Sequence, residues 1–129
     1  MLTSIKSVGS YVPAGILTNA DLEKMVDTSD EWITTRTGIK ERHIVSEGEK
    51  FSDLCTKAAE LALKRAHFKA EDLDMILVGT ISSDMLFPAT SCLVQRNLGA
   101  LRRPGGTGLD ATAAGSVTLA YFPLDGNGL

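Results

Sequence analysis

Residues 1–100 combine two hydrophobic patterns: short continuous apolar runs, typical of buried strands, and helical spacing of apolar positions. The run from Met75 to Gly79 is continuous and follows Asp74, which predicts a strand buried on both faces, as in a parallel sheet. The segment from Leu2 to Val12 carries β-branched and apolar residues before Pro13, and this predicts a strand that ends in a turn. Arg42 to Val45 predicts a further short strand.

Two short helices are predicted between the strand that ends at Val12 and the strand that begins at Arg42. Thr18 and Asp21 have the spacing of a helix-capping box, and Thr28 and Glu31 repeat it. Each pair therefore predicts the start of a helix, and Gly38 is placed to end the second one in the left-handed conformation. The apolar face predicted for the first helix consists of Leu22, Met25 and Val26.

Two longer helices follow, one from Ser52 to about His67 and one from Pro88 to Gly99. Strands and helices in this order predict a layered α/β protein. The apolar stripe predicted for the first helix is Leu54, Ala58, Leu61 and Ala62, and that predicted for the second is Cys92, Leu93, Gln95 and Leu98.

The composition of the chain changes near residue 100. Residues 101–129 hold only four charged residues but six of the twelve glycines, and their one short apolar run, Val117 to Phe122, predicts a strand. We therefore divide the 129-residue chain into residues 1–100 and an atypical Gly-rich tail, residues 101–129. The tail is either a poorly ordered end of the protein or a segment never selected to fold with the rest.

Charge and cysteine content exclude several classes of protein. A net charge of -3 and a pI of about 5.3 argue against binding to nucleic acid or to a membrane surface. We also expect no membrane span and no secretory signal, since no apolar run is long enough. Two cysteines, Cys55 and Cys92, are too few for a disulfide framework, so we expect a cytoplasmic protein with buried, structural thiols.

Most titratable residues give no sign of a catalytic or metal site. His43 and His67 lack metal-ligand spacing to cysteines or carboxylates, so we expect no metal. No phosphate loop and no dinucleotide-binding fingerprint is present. The carboxylates expected to be solvated or to cap helices are those of Asp53, Glu60, Asp72, Asp74 and Asp84.

Trp32 and Arg36 form the candidate ligand-binding pair of the chain. Their spacing of four residues places them on one helix face. An indole beside a guanidinium can hold a planar base between them, or stack on the base while the arginine meets a phosphate. The alternative is structural: a half-buried tryptophan beside a solvated arginine. Spacing alone favours the structural alternative.

The run from Ser7 to Ile44, with its motif DTSDEWI-x-x-RTGI, and the run from Asp74 to Ala100 resemble β-ketoacyl-acyl-carrier-protein synthase III. The resemblance covers about residues 1–100. It implies the opening part of a thiolase-like α-β-α-β-α fold, incomplete here, in a family of homodimers. It also implies the first condensation of bacterial fatty-acid synthesis, in which an acyl group, commonly acetyl, passes from acyl-CoA to a cysteine and is condensed with malonyl-acyl carrier protein, releasing carbon dioxide. Acyl-CoA is then a substrate, and no resident cofactor is implied.

The resemblance carries over four positions. Trp32 and Arg36, with Thr28 alongside, match family residues that hold the CoA adenine. Phe87 matches a residue that reaches the partner subunit's acyl pocket, although an ordinary core or interface aromatic is the alternative. No catalytic residue carries over: Thr112 stands where the family has its nucleophilic cysteine, and the family's histidine and asparagine have no counterpart. We therefore expect this chain alone to be inactive.

Two further hypotheses concern the tail and the function. Codons for Thr112 to Leu119 can be chosen so that a shift of two bases spells the family's cysteine motif, which suggests a frame-shifted tail. The gene sequence tests this, since another frame should continue the family. The alternative to an enzyme is an inactive remnant with at most weak CoA binding or subunit association.

Overall fold

The computed structural model describes residues 4–100, 109–111 and 116–120, and it divides into two compact units. The small unit is Val12–Glu49. The large unit is formed from Met1–Tyr11 and Lys50–Leu129. The predicted boundary near residue 100 lies within the large unit, and the frame-shifted origin of residues 101–129 stays a prediction.

The small unit is a two-stranded sheet with two helices between its strands. The elements are β1 (Gly15–Thr18), α1 (Asn19–Glu23), α2 (Asp30–Thr37) and β2 (Glu41–Ile44). β1 and β2 pair antiparallel, with the first residue of β1 opposite the last of β2. The strand predicted over residues 42–45 is therefore confirmed, one residue earlier, and β1 is an additional strand.

Local capping signals set the helix boundaries in this unit. The Thr18 hydroxyl accepts a hydrogen bond from the Asp21 amide at 3.2 Å and donates one to the Asp21 carboxylate at 2.6 Å. This confirms the first predicted capping box. Gly38 ends α2 with a φ of 71°, as predicted, and glycine adopts this left-handed conformation without steric cost.

The apolar face predicted for α1 is wrong at two of its three positions. The helix ends at Glu23, so Met25 and Val26 lie beyond it and are exposed. The amides of Lys24 and Met25 bond carbonyls three residues back, at 3.2 and 2.9 Å. These bonds tighten the chain into a turn, and a turn cannot continue the helical face.

The large unit builds its sheet around one central strand. The central strand β3 (Met75–Gly79) pairs in parallel with β4 (Leu109–Ala111) and antiparallel with β5 (Ser116–Ala120). The buried strand predicted after Asp74 is therefore confirmed. β5 lies where the tail predicted a strand. The elements are α3 (Phe51–Ala66), a single 3₁₀ turn (Ala70–Asp72), β3 (Met75–Gly79), α4 (Thr90–Leu98), β4 (Leu109–Ala111) and β5 (Ser116–Ala120).

The core of the large unit lies where α3, α4 and β3 meet. Val78 in β3 and Val94 in α4 are fully buried. Half-buried Phe51, Phe68 and Leu98 pack around them. Full burial of a side chain such as that of Val78 or Val94 stabilises the fold by about 1.5–3 kcal/mol. The buried cluster consists of Cys55, Leu63, Leu73, Ile76, Val78, Val94 and Ala100.

The face of α3 that packs on the core is rotated by one residue from the predicted stripe. All four predicted positions, at residues 54, 58, 61 and 62, are only half-buried. The buried positions are Ser52, Cys55, Thr56, Ala59 and Leu63, and three of these, Cys55, Ala59 and Leu63, lie one residue beyond a predicted position. Since one residue is about 100° of helical rotation, the stripe lies at the edge of the core.

The strand predicted from Leu2 to Val12 is wrong for the described residues 4–12, which form no strand. This segment lies along α3 instead. The Ser7 hydroxyl donates to the Ala62 carbonyl at 2.7 Å. Gly9 lies so close to Ala58 and Ala62 that a Cβ would meet their backbone atoms. A segment that lies against a helix makes no ladder, whatever its propensity.

The prediction for α4 is corrected at two points. The helix begins at Thr90, two residues after Pro88, and ends at Gly99 as predicted. Cys92 was expected in the buried face but is exposed, whereas the next two residues are buried. The core therefore meets the helix surface beside Cys92. Among the residues that the structure describes, no helix has the length and apolarity to span a membrane.

Candidate functional site

Helix α2 separates two kinds of side chain onto opposite faces. Ile33 is buried, and Thr34 beside it is half-buried. Trp32 and Arg36, four residues apart, lie on the outer face and are exposed. The helix thus holds its inner face against the small unit and presents the tryptophan–arginine pair to solvent, as the spacing predicted.

The Arg36 guanidinium lies over the indole of Trp32, with its central carbon 5.0 Å from the ring centroid. This is within the range of a cation–π contact. Trp32 is 55% exposed, so much of its surface is open to solvent. Within the described residues the Arg36 side chain makes no hydrogen bond or ion pair, so only the indole holds it.

This geometry bears on how a planar base can bind. A base held between Arg36 and Trp32 makes one van der Waals contact with each of them. The guanidinium and the indole must then lie about 7 Å apart. The observed separation between the Arg36 Cζ atom and the Trp32 ring centroid is 5.0 Å. A sandwich therefore requires Arg36 to move outward by about 2 Å. The long arginine side chain can also turn to a phosphate and leave the indole face to the base.

Thr28 lies two residues before α2 and is half-buried. The structure corrects the prediction that it caps the helix. The N-cap is Ser29, whose hydroxyl accepts from the Trp32 amide at 3.1 Å. Among the described residues the Thr28 hydroxyl makes no hydrogen bond, so capping does not occupy it.

The start of α2 is also held by a carboxylate from α1. The amide of Asp30 donates to Glu23 at 2.6 Å. With Ser29 this satisfies two of the amides that a helix leaves free at its N-terminus. Negative charge there is favourable to the helix dipole, and Arg36 lies in the last turn, where positive charge is favourable.

Sequence reasoning missed Asn19, the first residue of α1, which is 2% exposed. Its side-chain amide donates to the Asp30 carboxylate at 2.7 Å and to the Ile39 carbonyl at 2.8 Å. Its carbonyl accepts from Arg42 at 2.7 Å. The only available signal was an asparagine directly after an N-cap, which is an ordinary exposed position in a short helix.

Phe87, in the large unit, is 88% exposed, and Leu86 before it is fully exposed. Phe87 therefore lies outside the core that the described residues form. Both residues lie in the segment between β3 and α4. The Asp84 carboxylate in this segment accepts from the Ser52 amide at 3.2 Å and so adds a cap to α3.

The remaining titratable candidates have structural roles. His43 in β2 hydrogen-bonds the Pro13 carbonyl at 2.6 Å, and His67 ends α3 in the left-handed conformation. Asp53 and Asp72 cap their helices, as predicted. In the part of the chain that the structure describes, no group of histidine, cysteine and carboxylate side chains could hold a metal ion. Thr112 lies outside the described residues.

Comparison with known proteins gives a consistent result. Over 97 residues the chain is 64% identical to β-ketoacyl-[acyl-carrier-protein] synthase III of Caldanaerobacter subterraneus subsp. tengcongensis, a match that covers 75% of this chain and 29% of that protein. It is 51% identical over 113 residues to the protein of that name from Thiobacillus denitrificans, covering 88% of this chain and 35% of the relative. The second match is long enough to extend beyond residue 100. No family model matches the chain.

The crystal structure of 3-oxoacyl-[acyl-carrier-protein] synthase III from Aquifex aeolicus VF5 has a TM-score of 0.78 and 49% identity to this chain. It is matched over 84% of this chain and 34% of its own. The chain spans about a third of the length of these relatives. Its described residues have part of the thiolase-like α/β fold, and the chain is homologous to β-ketoacyl-[acyl-carrier-protein] synthase III over that part.

Proposed function

We propose that the small unit binds the adenine end of an acyl-CoA, that the chain is a partial relative of the enzyme of the first condensation in fatty-acid synthesis, and that this chain alone is inactive. The reaction of the whole enzyme would condense the acyl group with malonyl-acyl carrier protein in the cytoplasm, releasing CoA and carbon dioxide, with no resident cofactor. The observation that supports this proposal is the Trp32–Arg36 pair, stacked at 5.0 Å on the exposed face of α2. We assign no catalytic residue among the described residues.

Each side chain has a physical role in this proposal. The exposed indole of Trp32 offers a flat apolar surface, and stacking of a base on an aromatic ring is worth about 1–3 kcal/mol. Arg36 supplies a planar cation that can stack on the base or pair with a phosphate of CoA. Thr28 supplies a hydroxyl that capping does not occupy, beside the start of the helix.

Two further partners belong to the proposal. Acyl carrier protein is the second substrate, as the names of the relatives indicate. A second copy of the chain is the partner of Phe87, because that side chain and Leu86 present a large apolar surface to solvent. Acyl-CoA is a substrate in this scheme, and we propose no resident cofactor or metal.

Binding is tested with the full 129-residue chain and CoA. The chain has one tryptophan, Trp32, so its fluorescence reports the site directly. We expect CoA at up to millimolar concentration to quench this emission. Arg36→Ala should weaken binding by about tenfold to a hundredfold, because loss of a charged hydrogen-bonding partner costs about 1.5–3 kcal/mol.

Trp32→Leu removes the fluorophore, so its binding is measured by line broadening of the adenine proton resonances of CoA. This variant should lose the broadening. Arg96→Ala is the matched control, since Arg96 is an exposed arginine in the last turn of α4. Absence of quenching in the wild-type chain, or an equal loss in the control, would sink the proposal.

A further inference from the structure

The side chain of Asn19 is buried between two charged groups of the small unit. Its Nδ2 atom donates to Asp30 Oδ1 at 2.7 Å and to the Ile39 carbonyl at 2.8 Å. Its Oδ1 atom accepts from the Arg42 guanidinium at 2.7 Å. Both amide hydrogens and the amide oxygen are therefore used, which fixes the orientation of the amide group.

These bonds hold both ends of α2. Asp30 is the first residue of the helix, and Ile39 directly follows its C-cap. The backbone amide of Asn19 donates to the Lys40 carbonyl at 3.2 Å, which adds a second connection beyond the same end. Thr34 extends the network inside the helix, since its hydroxyl donates to Asp30 at 3.2 Å.

Besides these bonds, the Glu23 carboxylate holds the first amide of the helix, and few buried apolar contacts add to them. Its buried apolar residue is Ile33, and the hydrophobic residues of this unit at positions 12, 16, 25, 26, 39, 44 and 45 are all exposed. With so small an apolar contact, the buried hydrogen bonds determine where α2 lies. A buried polar network that is fully satisfied specifies one arrangement.

We infer that Asn19 is a positioning residue for the Trp32–Arg36 pair. It sets the position of α2, and α2 carries that pair on its opposite face. The role in CoA binding rests on the proposed function, but the role in positioning the pair does not. Glutamine carries the same amide group, but its extra methylene would displace that group from these partners, whereas aspartate has no donor for Asp30 and Ile39, and leucine has neither donor nor acceptor.

The test exchanges donor and acceptor within the full chain. Asn19→Asp places two carboxylates against each other, so we expect CoA to bind about tenfold more weakly. Asp30→Asn keeps an acceptor for Asn19 and should change the dissociation constant less than about threefold. In the double variant, Asn19→Asp with Asp30→Asn, the amide at position 30 can donate to the carboxylate at position 19, but the Ile39 carbonyl still lacks its donor, so binding should recover in part and lie between those of the two single variants.

Two controls separate positioning from stability alone. A purely structural role would lower the urea midpoint of Asn19→Asp and leave the dissociation constant of the folded chain unchanged, and that result would overturn the inference. So would a double variant that binds no better than Asn19→Asp. If Asn19→Asp does not fold by circular dichroism, the recovery in the double variant decides.

The emission of Trp32 makes the inference testable apart from CoA binding. Displacing α2 changes the surroundings of the indole, so the emission spectrum should shift in Asn19→Asp and return part of the way in the double variant. If wild-type chain fails to bind CoA, the proposed function fails while this spectral test still stands. If CoA binds and neither affinity nor emission responds to Asn19→Asp, only the inference fails.

Discussion

At the scale of single residues, one hydroxyl governs the acidity of Asp21. The hydrogen bond from Thr18, together with Lys24 at 3.1 Å, lowers the pKa of Asp21 from 3.8 to about 2. A depressed carboxyl pKa means that the ionised form stabilises the fold. The contribution is fully present above about pH 4 and is lost as the pH falls towards 2.

We expect an NMR titration of the Asp21 carboxyl group to give a pKa near 2. Thr18→Val keeps the shape of the side chain but removes the hydroxyl, so the pKa should rise towards 3.8. Lys24→Met tests the smaller contribution of the ion pair and should raise the pKa less. A pKa that Thr18→Val leaves unchanged would show that the cap is not the cause.

The sequence predicted several residues whose role depends on near neighbours, although it placed the cap of α2 at Thr28 and not at Ser29. The cap at Thr18, the left-handed stop at Gly38 and the pairing of Trp32 with Arg36 all follow from spacings of one turn or less. Asn19 could not be found in this way, because its partners lie up to 23 residues away. Its burial depends on how the helices are arranged, and no local pattern encodes that.

At the scale of elements, the same limit separates correct from incorrect predictions. β3 was predicted because a strand buried on both faces needs apolar residues throughout, whatever its neighbours. The segment of residues 4–12 has strand composition, but a strand exists only beside a partner strand. In the large unit its neighbour is α3, as the contact of Gly9 shows. The exposure of Cys92 has a similar cause, because the spacing of apolar residues does not define the buried face of a helix to within one residue.

The docking of residues 4–11 on α3 depends on Gly9. A Cβ at this position would meet the Ala62 amide nitrogen at 2.6 Å and would lie closer still to the Ala58 carbonyl oxygen. Both are backbone atoms of a helix and cannot move aside. Gly9→Ala should therefore destabilise the chain by about 1–3 kcal/mol, the usual cost of overpacking.

Urea unfolding measures this effect as a lower midpoint for Gly9→Ala. Ser10→Ala is the control from the same segment, because Ser10 is exposed and its substitution should change the free energy of unfolding by less than about 0.5 kcal/mol. Equal midpoints for the two variants would mean that the segment does not pack on α3 in solution.

At the scale of the whole molecule, the large unit exposes apolar side chains on separate segments of its chain. Ile5 and Val8 in the first segment are exposed, and so are Ile81, Leu86 and Phe87 between β3 and α4. Exposed apolar patches of this kind mark surfaces that other protein covers. The proposed second copy would cover the segment that carries Phe87.

We therefore expect the chain to self-associate, and Leu86→Ser with Phe87→Ser to weaken that association. Removing about 200 Å² or more of apolar surface from an interface makes the free energy of association less favourable by several kcal/mol, at about 25 cal/mol per Å². Sedimentation velocity over a range of concentrations gives the mass of each species.

Ile5→Ser with Val8→Ser is the matched control, since it removes exposed apolar residues from a different segment. If both double variants reduce association equally, the surface is generally adhesive and Phe87 has no special role. A wild-type chain that is monomeric at every concentration and unfolds in one sharp transition would contradict the expectation entirely, because its exposed apolar residues would then need no partner.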